Sequence, residues 1–159
     1  MLTILTRLAL ASLVLTGAAF AQDLIPKRVL SLDAAKKIAA AADEHARKNN
    51  WNVVIAVLDE GGHLLYLQRM TGVQVGSIEV AMRKAESAFK FKRPTKAFSD
   101  AAANRTAILV LPGAMPFEGG LPLSIGNDVI GAIGVSGVTA EQDGMIAQAG
   151  AEALAKMVR

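Results

Sequence analysis

A chain of 159 residues with no cysteine, carrying 17 Lys and Arg against 14 Asp and Glu, has the length of one domain and nearly balanced charge. The missing thiols exclude disulfides, thiolate catalysis and cysteine-held metals, and two histidines are too few for a structural zinc site. The small positive balance gives no basis for a nucleic-acid partner.

The N-terminal stretch MLTILTRLALASLVLTGAAFAQ has the three parts of a secretory signal. Arg7 is its basic region, Leu8 to Thr16 its apolar core, and Ala19-Phe20-Ala21 its small-x-small cleavage site before Gln22. The apolar core is short of the ~20 residues that span a bilayer, so cleavage after Ala21 is expected rather than a membrane anchor. No cysteine follows to carry a lipid. Residues 1–21 are read as a signal peptide and 22–159 as one domain, placed in the periplasm or secreted and not embedded in the membrane after cleavage.

Ser31 can cap a helix from Leu32 to about Asn49, with Ala35, Ile38, Ala42 and His45/Ala46 on one face. The near-continuous apolar run to Leu58, from Asn52, suits a strand covered on both faces. The Asp-Glu-Gly-Gly turn at 59–62 and the run from His63 to Met70 complete a hairpin. A second helix is predicted from Val75 to about Phe91, with Val75, Ile78, Met82, Ala85 and Phe89 as its apolar stripe, and Pro94 beyond its end. A short helix follows over Ser99 to Ile108, capped by Ser99 or Asp100. The proline- and glycine-rich stretch from Leu111 to Asp128 reads as a loop with one edge strand near Leu121 to Ile125.

The segment from Asp128 to Gly137 is a strand interrupted by glycines at 131, 134 and 137. Those at 131 and 134 signal that a helix or a flat ligand lies close against the backbone. Thr139 and Gln142 form a capping box for a last helix, Ala140 to Val158, whose buried face is marked by Ile146, Ala149, Ala153, Leu154 and Met157. The order α-β-β-α-α-β-β-α, with a hairpin that demands antiparallel pairing, gives an α+β fold: a single antiparallel sheet flanked by helices.

Several familiar sites fail on spacing. The glycines of GAIGVSG do not match G-x-G-x-x-G, and no acidic residue follows at the distance a dinucleotide fold needs. Ser136 in GVSGV is one residue away from a nucleophile elbow, and neither histidine has a triad partner in the required order. His63 opens the return strand after two glycines, a solvated turn position rather than a ligand. The cations Lys90, Lys92, Arg93 and Lys96 crowd a helix end, where the dipole favours them, and could also rim an anion site. His45 is the more informative histidine. It projects from an apolar face near Trp51, where an unprotonated ring nitrogen could meet an iron centre, with Tyr66 and Met70 as alternative second ligands or packing residues.

These motifs together resemble the GlcG/HbpS haem-binding family, which includes the C-terminal domain of PduO-type proteins. The resemblance rests on the Val57 to Gly62 hairpin, one residue longer than in some members, and on Arg69-Met70 and Lys84-Ala85. It rests equally on the Gly-Gly-x-Pro loop at Gly119 to Pro122 and on Gly131 to Gly137. It implies a sheet flanked by helices, assembly into homo-oligomers and haem as cofactor, with some secreted members degrading haem or modulating a partner sensor. A first-helix histidine ligates iron in the PduO-type domain, which implies His45 as the haem-iron ligand here, with Arg69 or Lys84 meeting the propionates and Tyr66 beside the macrocycle.

The first functional reading is therefore an exported haem-binding protein acting in haem uptake, sensing or degradation. A second is an enzyme transforming a small molecule, with Asp59, Glu118 and Asp143 as acid/base candidates. A third is a non-catalytic partner of a membrane sensor or transporter.

Overall fold

The computed structural model describes residues 25–158; the expected signal peptide lies outside them. The elements follow the expected order. Helix α1 spans Leu32–Lys48 and strands β1 and β2 span Val54–Leu58 and Leu64–Arg69. Helices α2 (Gly76–Phe91) and α3 (Lys96–Ala102) and a 3-10 turn (Thr106–Val110) follow. Strands β3 (Gly120–Ile125) and β4 (Asp128–Ser136) and helix α4 (Ala140–Met157) complete the chain. The four strands form one antiparallel sheet in the order β2-β1-β4-β3, an α+β fold.

Strand β1 is central and buried along its whole length, as its unbroken apolar run requires. Strand β3 lies at one edge, where Pro122 can be accommodated in a paired strand. The hairpin between β1 and β2 is closed by Asp59, whose Oδ1 accepts the N–H groups of Gly61 and His63, both at 2.8 Å, while Gly62 takes a φ of 79°.

Successive residues of β4 sort the helices into layers. Ile133 meets Gly150 of α4, which also touches Ile38 of α1, so α1 and α4 cover one face. Gly134 points the other way, against Ala81 and Ala85 of α2.

Helix α1 begins at the Ser31 cap, whose hydroxyl accepts from Ala34 N–H. Helix α4 begins at the expected capping box, with both the Thr139 and Gln142 side-chain bonds formed. Thr139→Ala should lower the unfolding free energy by about 1 kcal/mol, read as a shift in urea midpoint with unchanged slope.

Three expectations are corrected. The short helix starts at Lys96 rather than Ser99 and stops at Ala102. Ser99 and Asp100 lie inside it, because Phe98 is buried with its ring 4.9 Å from Phe91 and fixes the turn directly after Pro94. Of the expected stripe on α2, Ala85 is buried and Ile78, Met82 and Phe89 are half-buried against the core, but the fully buried face is made of small residues. Val75 is exposed, and the buried residues are Ser77, Ala81, Lys84, Ala85, Ser87 and Ala88, because only small side chains let the helix lie on Gly134. On α4, Asp143, Ala147 and Gly150 join Ile146 and Leu154 in the buried set, while Met157 is exposed.

Candidate functional site

The last turn of α1 ends in a Schellman closure. Asn50 takes a φ of 57°, Trp51 N–H returns to the Ala46 carbonyl at 2.9 Å, and Asn50 N–H reaches Arg47 at 3.1 Å. This reversal lays the half-buried Trp51 beside His45, with ring centroids 6.1 Å apart and planes tilted by 47°. His45 is itself half-buried, and neither ring nitrogen makes a hydrogen bond to another described residue. The imidazole is therefore held by packing, with its nitrogens free of hydrogen bonds among the described residues.

Tyr66 of β2 lies on the same side of the sheet. Its hydroxyl donates to Gln68 Oε1 at 3.1 Å, Gln68 donates to Asp43 of α1 at 2.6 Å, and Arg47 donates to the same carboxylate. This chain of polar contacts ties β2 to the helix that carries His45. Arg69 ends β2 exposed, and by strand alternation it faces the opposite side from Tyr66. Met70 is buried, and its sulfur accepts from Val53 N–H at 3.4 Å.

Lys84 lies elsewhere, on the α2 face of the sheet. Its ammonium is 2.7 Å from Asp143 Oδ2 and 3.0 Å from the Val135 carbonyl, and both side chains of the pair are only 3% exposed. Asp143 Oδ1 accepts from Val138 N–H at 3.3 Å. Burial pushes the Asp143 carboxyl above its ordinary value of 3.8, against the opposing pull of Lys84 and of the backbone donors. Gly119 makes room for the pair: a Cβ there would sit 2.8 Å from that of Asp143 and 2.9 Å from Lys84 Nζ.

The structure thus places His45 and Tyr66 on the α1 side of the sheet and Lys84 on the other, with Arg69 exposed between solvent and strand end. The ion pair joins two residues that the sequence marked separately, Lys84 as a propionate contact and Asp143 as an acid/base candidate. Of the other acid/base candidates, Asp59 closes its turn; burial raises its carboxyl, but the His63 and Gly61 N–H donors outweigh that and hold it below 3.8. Glu118 is half-buried, 3.8 Å from Lys96. His63 is solvated, its side chain 83% exposed. In the basic cluster Lys90 meets Glu86, Lys96 meets Asp100, and Arg93 stands over the Phe98 ring, so these cations are largely engaged on the protein's own surface.

Comparison with known proteins places this arrangement. The family model described as "Haem degrading protein HbpS-like" matches residues 30–152. Protein GlcG of Escherichia coli strain K12 is 44% identical over 111 residues, covering 69% of this chain and 83% of that protein. Among solved structures, Klebsiella pneumoniae protein ORFY matches with a TM-score of 0.78 and 34% identity, over 83% of this chain and 94% of that one. A double mutant of Streptomyces reticuli HbpS matches at 0.76 and 33% identity, over 85% and 93% of the two chains. The PduOC:haem complex matches at 0.70 and 29% identity, over 78% and 94%. With the family model spanning nearly all of the described fold, the chain belongs to the HbpS-like haem-degrading protein family.

Proposed function

We propose that this protein binds haem, with His45 ligating the iron. The observation that carries the reading is the imidazole itself: half-buried, held beside Trp51 by the turn after α1, and with neither ring nitrogen hydrogen-bonded to another described residue. An imidazole in such a setting would hold haem iron through a ring nitrogen. Family membership and the likeness to the PduOC:haem complex support the same cofactor.

The residues present fit one wall of such a site. Trp51 and the ring of Tyr66 supply apolar surface, and the Tyr66-Gln68-Asp43-Arg47 contacts hold that wall to α1. Bound haem supplies the redox-active iron, and the chain's part is to orient it and exclude water from one face. A macrocycle needs apolar cover on both faces, so a second copy of the chain completes the pocket and the working form is a homo-oligomer. Arg69 is exposed at the end of β2 but faces the other side of the sheet from Tyr66, so it meets a propionate only by reaching past the strand end. Lys84, paired with Asp143 on the other side of the sheet, lies away from this wall.

The signal segment at residues 1–21 supports a place in the periplasm or outside the cell, where the protein would serve haem uptake, sensing or degradation, alone or with a membrane partner. His45→Ala should change the visible absorption spectrum of the ferric haem complex, because the axial ligand sets the ligand field of the iron. An unchanged spectrum would remove His45 from the iron.

A further inference from the structure

Between α3 and β3 the chain exposes an apolar run. Ala107, Leu109, Val110, Leu111 and Pro112 all face solvent, with Leu109 62% and Val110 79% exposed, and only Ile108 within the run is half-buried. This is not slack chain. The N–H groups of Ile108, Leu111 and Ala114 return to the carbonyls of Arg105, Ile108 and Leu111, and Met115 N–H donates to Ser87 Oγ of α2 at 3.0 Å. Backbone bonds therefore hold these side chains outward. Single apolar residues on a surface need no explanation, but a contiguous group of them marks a contact.

The charge around the run has one sign. Between Lys90 and Phe117 the sequence carries Lys90, Lys92, Arg93, Lys96 and Arg105 against Asp100 alone, while the rest of the described chain has a slight excess of carboxylates. Arg105 opens the run, and Gly113 beyond its far end lies against the Lys90 stem and the Phe91 ring, so cations stand at both ends of it. Lys90 is matched by Glu86, and Lys96 by Asp100 with Glu118 at 3.8 Å. Among the described residues Lys92, Arg93 and Arg105 form no ion pair with a carboxylate, and they leave the patch positive.

We propose that this patch docks on the headgroup layer of an anionic phospholipid membrane. Leu109, Val110 and Leu111 enter the interface, and Lys92, Arg93 and Arg105 lie over the lipid phosphates. Apolar side chains flanked by cations suit such a surface because burial and electrostatic attraction add. A second copy of the chain suits it less well, since a two-fold contact would set the same cationic patch against itself. The run is fastened to α2, whereas α1, which carries His45, covers the opposite face of the sheet, so the assignment is independent of the haem reading.

The test uses the full chain, which has no cysteine, so Val110→Cys gives a single attachment point for a polarity-sensitive fluorophore and Ala40→Cys on the exposed side of α1 gives the control. With vesicles of equal parts phosphatidylglycerol and phosphatidylcholine, the label at 110 should shift saturably to shorter wavelength and the label at 40 should not. Pure phosphatidylcholine, or ~1 M salt, which screens charges beyond about 3 Å, should weaken the response roughly a hundredfold, as three such cations predict. Lys92→Gln and Arg105→Gln, both at exposed positions, should each weaken binding about fivefold. No shift with anionic vesicles, an equal shift at both labels, or an equal response to neutral vesicles would overturn the assignment. So would the same shift produced without vesicles by raising protein concentration, which would make a second copy the occupant. Haem is absent from every sample.

Discussion

Replacing Lys84 with methionine lowers the free energy of unfolding by about 3–5 kcal/mol at neutral pH, because it leaves the Asp143 carboxylate buried without its counter-charge. The loss depends on pH in a defined direction. Burial already holds this carboxyl above 3.8, so its contribution to stability is present in full below 3.8 and is lost as pH rises through the folded value. Lys84 is a lowering influence on Asp143; removing it raises the folded value further and widens that window. The gap between the natural chain and Lys84→Met therefore opens as pH rises and narrows on acidification. Combining Lys84→Met with Asp143→Leu removes both charges and should recover most of the loss. Urea unfolding of the three proteins across pH measures all of this, and a single replacement as stable as the double one would contradict it.

Gly134→Ala should cost about 2–3 kcal/mol, the scale of overpacking into backbone that has no free rotamer to yield. A Cβ at this position would overlap the Ala81 carbonyl oxygen and lie 2.6 Å from Ala85 N, both in the main chain of α2. Its strand partner Gly120 is constrained in the same way, with the Lys84 carbonyl and Thr95 Cγ2 against it. The two facing glycines form a shallow groove in which α2 lies, and that approach brings Lys84 within reach of Asp143. Gly76→Ala is the control: nothing lies within 4 Å of its added Cβ, and it should be neutral or slightly stabilising. Equal midpoint shifts for the two variants in thermal or urea unfolding would refute the groove.

The glycine groove also shows what the sequence could and could not convey. Repeated glycine in β4 signalled close approach of a helix or a flat ligand, and for Gly134 the structure identifies α2. For Gly131 it identifies the Leu58 carbonyl of the neighbouring strand and the Leu30 side chain. The hairpin and the caps at Ser31 and Thr139 follow from local rules, since turn chemistry and capping involve residues within four positions of one another, whereas the pairing of β1 with β4 is long-range and was not legible. On α2, periodicity found Ala85 and the half-buried Ile78, Met82 and Phe89 but missed most of the fully buried residues, because it counts large apolar residues, whereas contact with a glycine strand selects alanine, serine and one lysine. The Lys84-Asp143 pair joins positions 59 apart, and nothing in a single sequence links them. His45 was legible as a residue of interest, being a polar ring on an apolar stripe. The Asn50 reversal that sets Trp51 beside it became visible only in the fold.

The central claim is that this chain holds haem. Haemin titrated into the purified full chain, followed at the Soret band, should give a saturable shift with a fixed stoichiometry per chain. A band that moves only in proportion to added haemin, as it does beside a protein without a site, would contradict the claim.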